Sequence, residues 1–189
     1  MNLSYVIEGE AAEERSYEIF SRLLKDRIIY VQGQFEDSMA NRTVAQLLYL
    51  SSRDAEKPIY MYINSPGGSI SSMYAIVDCM DYITPDVHTL GIGSVCSAGS
   101  FLLAAGTKNH RKILKNTSVM IHELSSGVQG KAGDIFNEVK NMERLYEKMA
   151  KQYASFTGKS VVKIKKDMQR DFWMDAKEAL DYGLVDQII

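Results

Sequence analysis

Short apolar runs rich in β-branched or aromatic residues recur along the chain at Arg27–Val31, Ile59–Ile63, Val87–Ile92 and Ser118–Ile121. Runs of this length and composition predict buried strands. Between them, Ser16–Lys25, Met39–Ser52, Ser69–Tyr82 and the stretch around Phe101–Ala105 carry helical patterns. Strand and helix alternate, which predicts an α/β fold with strands largely covered on both faces. Pro58, Pro66 and Pro85 all fall at strand ends or in loops, where a missing N–H does least harm.

The C-terminal third has a different rhythm. From about Gly133, the apolar residues Ile135, Val139, Met142, Tyr146, Met149, Tyr153 and Phe156 are spaced 4, 3, 4, 3, 4, 3. That is a seam of 3.5-residue period on one long helix, with Gly158 placed to cap its C-terminus. Phe136 and Leu145 lie off the seam. The spacing fits equally a helix lying on its own domain and one that leaves it to pack against another subunit. A last helix starts at Asp175, forms a capping box with Glu178 and ends near Gly183.

Composition narrows the class without touching the chemistry. A chain of 189 residues is about one domain's worth and can bury roughly 70% of its unfolded surface, so it needs no disulfide or metal to fold. With 46% hydrophobic and 24% charged residues it is globular rather than disordered. The net charge of −2 leaves no basic footprint for nucleic acid. Cys79 and Cys96 have no metal-ligand spacing and suit a reducing compartment. No apolar run approaches a membrane span, and Met1–Glu10 lacks the pattern of a signal peptide, so a cytoplasmic location is expected.

Several segments compete as chemistry. Thr157-Gly158-Lys159-Ser160 imitates the end of a P-loop, but Tyr153 stands where its first glycine belongs, and a helix rather than a strand precedes it. Asn64-Ser65-Pro66-Gly67-Gly68-Ser69 follows a strand and opens a helix. Its glycines either present backbone N–H groups to an anion or simply make a tight turn. Ser94-Val95-Cys96-Ser97-Ala98-Gly99-Ser100 spans another strand-to-helix junction, where a nucleophile can be exposed. Three serines and a cysteine compete there, and close packing by small residues explains the composition as well. Of three histidines, His110 lies in a polar run and His88 within a strand, whereas His122 ends a strand and is best placed as a base. Spacing alone does not choose an acid among 24 carboxylates.

Taken in order, these segments resemble the family of Clp protease proteolytic subunits (ClpP). The likeness runs through Ser16–Ile29, Tyr62-Ile63-Asn64-Ser65-Pro66-Gly67-Gly68-Ser69 and Ser97-Ala98-Gly99-Ser100-Phe101-Leu102-Leu103-Ala104-Ala105-Gly106. It continues in Val119-Met120-Ile121-His122, Arg170-Asp171-Phe172 and Tyr182-Gly183-Leu184-Val185-Asp186. The resemblance implies a crotonase-like spiral of stacked ββα units over residues 1–189. A protruding handle, about 123–158, comprises a strand and the long helix. It implies a nucleophile at Ser97, a base at His122, an acid at Asp171 and oxyanion donors at the N–H groups of Gly68 and Ala98. It further implies two stacked seven-membered rings closed into a chamber for unfolded polypeptide. A hexameric AAA+ unfoldase that consumes the ATP would dock at clefts including Tyr60, Tyr62, Tyr82, Leu114 and Ile189; the chain itself would need no cofactor. After the base, His122-Glu123-Leu124-Ser125-Ser126-Gly127 departs from the family's His-Gln-Pro-Leu-Gly-Gly, and Gly93-Ser94-Val95-Cys96 replaces Gly-Gln-Ala-Ala. Two other readings share parts of the pattern. One is a non-catalytic ring paralogue, disfavoured by the intact Ser97, His122 and Asp171. The other is a crotonase-type acyl-CoA enzyme, disfavoured by the triad match and the short length.

Overall fold

The computed structural model describes residues 4–9, 14–125 and 127–189. An N-terminal hairpin of β1 (Tyr5–Glu8) and β2 (Arg15–Glu18) leads into α1 (Ile19–Lys25). Then follow β3 (Ile28–Gln32), α2 (Asp37–Arg53), β4 (Ile59–Ser65), α3 (Ile70–Tyr82), β5 (Val87–Cys96), α4 (Ala98–Ala104), β6 (Arg111–Ile113) and β7 (Ser118–Ile121). The chain ends with α5 (Ala132–Thr157), α6 (Val161–Met168), β8 (Phe172–Met174), α7 (Ala176–Tyr182) and β9 (Gln187–Ile188). The result is the expected mixed α/β architecture with a mostly parallel sheet, ordered β3-β4-β5-β6-β9.

Strand alternation sorts the residues of β4. Ile59, Met61 and Ile63 are fully buried, while Tyr60 and Tyr62 point to the opposite, outward face. All seven residues of α4 are buried, which explains its all-apolar or small composition. At the far edge, Arg111 and Asp186 form a buried two-pronged ion pair (2.6 and 2.9 Å), and Arg111 also donates to the Phe156 carbonyl (3.0 Å). This pair ties β6, the approach to β9 and the end of α5 together.

Four expectations need correcting. The helix predicted from Ser16 begins at Ile19, because Ser16–Glu18 pair with β1 and the Glu18 carboxylate caps the helix through Ser21 N–H. The strand predicted to stop at Ile92 continues to Cys96. Gly93 adopts φ 67°, and there β5 turns from pairing β6 to pairing β7. The helix expected around Phe101–Ala105 starts three residues earlier, at Ala98. No handle strand forms among the described residues 123–125 and 127–131; a strand requires a hydrogen-bonding neighbour, and none of this chain's strands pairs there.

The two halves of the α5 seam differ in burial. Met149 and Tyr153 are buried on the chain's own core, whereas Val139 and the off-seam Phe136 remain 43% and 68% exposed. Gly158 caps the helix in a left-handed conformation, and Ser160 caps α6 by accepting from Lys163 N–H. Thr157–Ser160 is therefore a helix-to-helix junction. The Asp175–Glu178 capping box is present at α7, which ends at Gly183.

Candidate active site

Strand register brings the site together. β7 and β8 pair antiparallel with Ile121 opposite Phe172, so the next residues outward, His122 and Asp171, meet just past the paired segment. His122 Nδ1 lies 3.3 Å from Asp171 Oδ1. On the other side of β7, Cys96 of β5 sits beside Met120, and Ser97 N–H donates to the Met120 carbonyl at 2.8 Å. That bond aims Ser97 at the residue that follows β7. The Ser97 Oγ to His122 Nε2 distance is 2.9 Å. A proton on Nδ1, the nitrogen nearer Asp171, would leave Nε2 free to accept the serine proton.

Ser97 occupies φ 55°, ψ −120°, a conformation that costs a non-glycine residue about 1–3 kcal/mol. Its surroundings hold it there. The Ser97 carbonyl accepts from Phe101 N–H (3.0 Å), and Gly67 passes so close that a Cβ there would lie 2.6 Å from the Ser97 Cβ. The Asn64–Ser69 loop is thus more than a tight turn. It is pinned on its other side to Phe35 by hydrogen bonds from Phe35 N–H to Gly67 O (2.8 Å) and from Ser69 N–H to Phe35 O (2.9 Å). Among the described residues, neither Gly68 N–H nor Ala98 N–H donates a hydrogen bond. Ala98 is the first residue of α4, where an amide has no intrahelical acceptor.

These groups open onto a cavity of about 420 Å³. Gly68, Ser97, Ala98 and His122 line it together with the polar Gln34, Glu123 and Glu138, and Ile70, Met73, Met142, Leu145 and Met149 form much of an apolar wall. The other two histidines lie elsewhere. His88 and His110 stack face to face at 3.9 Å on the outward sheet face, with Tyr60 edge-on to His88 at 5.4 Å. Burial, then the neighbouring His110, push the His88 pKa down.

A family model described as Clp protease matches residues 11–189. The chain belongs to the Clp protease family. It is also similar to the ATP-dependent Clp protease proteolytic subunit 2 of Bacillus licheniformis, with 51% identity over 187 residues covering 99% of this chain and 98% of the relative.

In this Clp protease family chain the four junction candidates separate clearly. Cys96 is buried with its sulfur 3.3 Å from Ser94 Oγ, and the Ser100 hydroxyl is bonded to backbone carbonyls; Ser97 is the one that reaches an imidazole. Of the residues expected at a docking cleft, Tyr60 and Tyr62 share the outward face of β4, Tyr60 being 40% exposed. Leu114 and Ile189 line a second, largely apolar cavity of about 430 Å³ with Gly93. Tyr82, 81% exposed at the end of α3, lines neither cavity. Sequence reasoning missed the apolar wall supplied by Met142, Leu145 and Met149. The signal was present in the seam, whose burial on its own core could not be told from burial against a partner.

Proposed function

We propose that this Clp protease family chain is a serine-type endopeptidase acting on unfolded polypeptide, with Ser97 as nucleophile, His122 as base and Asp171 as the orienting acid. The observation that carries this reading is the continuous contact from Asp171 through both nitrogens of His122 to Ser97 Oγ. Ser97 Oγ attacks the scissile carbonyl carbon as its proton passes to His122 Nε2. The carbonyl π pair moves onto oxygen, where Gly68 and Ala98 N–H groups stabilise the charge. Losing one such donor costs about 3 kcal/mol of barrier in comparable sites. Collapse expels the amine, which takes the proton from His122, and a water repeats the sequence to release the acid. Asp171 holds the imidazole tautomer and stabilises the imidazolium. The apolar cavity wall fits an apolar substrate side chain beside the scissile bond.

The assembly belongs to the same proposal. The exposed Phe136 and Val139 on the outer half of α5 suit contact with a second copy, in two stacked seven-membered rings. Tyr60, Tyr62, Leu114 and Ile189 suit docking of a hexameric AAA+ unfoldase, because tyrosine buries its ring while its hydroxyl stays wet. ATP is consumed by that partner, in the cytoplasm, and this chain carries no cofactor of its own. The purified chain should cleave short peptides without nucleotide and leave a tagged, folded protein intact, since folded domains resist opening by about 5–15 kcal/mol. Cognate unfoldase and ATP should restore degradation of that protein. Unaided digestion of the folded substrate would overturn the division of labour.

A further inference from the structure

Beneath the bend at Ser97 lies a small buried hydroxyl cluster that the reaction as described does not use. Ser100 Oγ is 2.7 Å from the Ser97 carbonyl, 2.8 Å from the Met120 carbonyl and 3.0 Å from the Tyr153 hydroxyl. Tyr153 Oη also lies 3.4 Å from the Ser97 carbonyl. Ser100 is fully buried and Tyr153 is 2% exposed, in surroundings formed partly by Phe101, whose ring meets the tyrosine edge-on at 5.0 Å. Burial drives the Tyr153 pKa far above its ordinary value, so the phenol remains a donor at any working pH.

Proton counting orders the cluster. Each hydroxyl has one proton to give. Tyr153 donates to Ser100 Oγ, and Ser100 donates to one of the two carbonyls. Those carbonyls are not ordinary ones. The Ser97 carbonyl belongs to the strained residue that carries the attacking oxygen. The Met120 carbonyl accepts from Ser97 N–H and stands two residues before His122. Three elements therefore converge here: α4 at the bend, β7 leading to the base, and α5, whose outer half stands clear of the core.

We propose that Ser100 and Tyr153 are positioning residues, a buried relay that fixes the strained backbone of Ser97 against the strand carrying His122 and fastens both to α5. The inference rests on the reading of Ser97 and His122 as nucleophile and base. Its specific content is that the two hydroxyls set the alignment of that pair, beyond whatever they contribute to folding. It also makes the seating of α5 a determinant of how well Ser97 is aimed.

The test uses the assembled full chain and the variants Tyr153→Phe, Ser100→Ala and the double variant. Each removes a hydroxyl and leaves the packing volume nearly unchanged. Readouts are kcat and KM for a short peptide, the second-order rate of labelling by a serine-reactive phosphonate, the melting temperature and the native mass. Tyr153→Phe should lower kcat about tenfold, about 1.4 kcal/mol of barrier, with KM little changed. Phosphonate labelling should slow in proportion while native mass stays that of wild type. Ser100→Ala should lose more, because it removes the hydroxyl that contacts both carbonyls and with it the nearer partner of Tyr153. The double variant should lose little more than Ser100→Ala, since the contact Tyr153 would retain with the Ser97 carbonyl is the longer one, at 3.4 Å. Wild-type kcat and labelling rates in both single variants, with or without a lower melting temperature, would show that the cluster is merely structural. Losses that multiply in the double variant would also overturn the relay. If wild-type protein itself takes no label at Ser97, it is the nucleophile assignment that fails.

Discussion

Adding one methyl group at Gly67 should disable catalysis far more than it weakens the fold. An alanine Cβ at this position would lie 2.6 Å from Ser97 Cβ, 2.9 Å from the Cys96 carbonyl oxygen and 3.1 Å from Ala98 N. Carbon atoms rest at about 3.5–4.0 Å, so the shortfall against Ser97 is about 1 Å, and two of the three neighbours are backbone atoms that cannot rotate away. Gly67 also sits at φ +96°, where a side chain costs about 1–2 kcal/mol. Overpacking adds about 1–3 kcal/mol, for a total of about 2–5 kcal/mol. A domain stable by about 5–15 kcal/mol largely survives that. Catalysis does not, because a displacement of about 1 Å in a reacting group costs about 100-fold in rate. The control is Gly158→Ala, which has a similar left-handed backbone (φ +72°) but no atom within 4 Å of its new Cβ. Melting temperature and kcat/KM on a short peptide should be measured for both. Gly158→Ala should lose stability and keep activity; Gly67→Ala should lose both. A Gly67→Ala enzyme as active as wild type would refute the claim that the loop holds Ser97 in place.

Two further outcomes follow from the same geometry. Burial alone would raise the Asp186 carboxyl, but the Arg111 guanidinium and backbone N–H outweigh it and hold the pKa below the usual value. The native-state pKa is thus below the unfolded one, so the pair's contribution is complete above about pH 5 and is lost as pH falls below about 4. Asp186→Asn, which leaves Arg111 buried and unpaired, should cost about 3–5 kcal/mol at neutral pH. In denaturant titrations its deficit against wild type should shrink on acidification, and a deficit that stays constant down to pH 2 would contradict this assignment. Phe136→Glu should leave the secondary structure and melting of isolated subunits unchanged, since Phe136 is 68% exposed, yet shift native mass from the proposed two-ring particle to smaller species. An unaltered particle would remove Phe136 from the subunit contact. Met149 is unsuitable for that test, because it is buried on the chain's own core.

How far the sequence was legible depended on whether local pattern and long-range pairing agreed. β4 was readable because alternation alone separates Ile59, Met61 and Ile63 from Tyr60 and Tyr62. β5 was not, because its second half runs through the small and polar residues Gly93 and Ser94 and is a strand by its long-range pairing with β7 and with Ser65 of β4. The same held for Ser16–Glu18, whose helical spacing gave way to pairing with β1. At the site, residue types and local spacing left four candidates for the nucleophile and no means of choosing the acid. The register of β7 against β5 and β8 is what joins Ser97, His122 and Asp171, residues 25 and 49 positions apart in the chain. The Ser100–Tyr153 contact was illegible for the same reason: it spans 53 residues, and nothing local in either segment points to the other.

Covalent labelling decides whether Ser97, activated by His122, is the nucleophile. The assembled protein would be treated with a serine-reactive phosphonate, digested, and the adduct located by mass spectrometry. One adduct is expected, on Ser97, formed at an undiminished rate in Cys96→Ala, strongly slowed in His122→Ala and absent in Ser97→Ala. An adduct on any other residue, or full peptidase activity in Ser97→Ala, would contradict it.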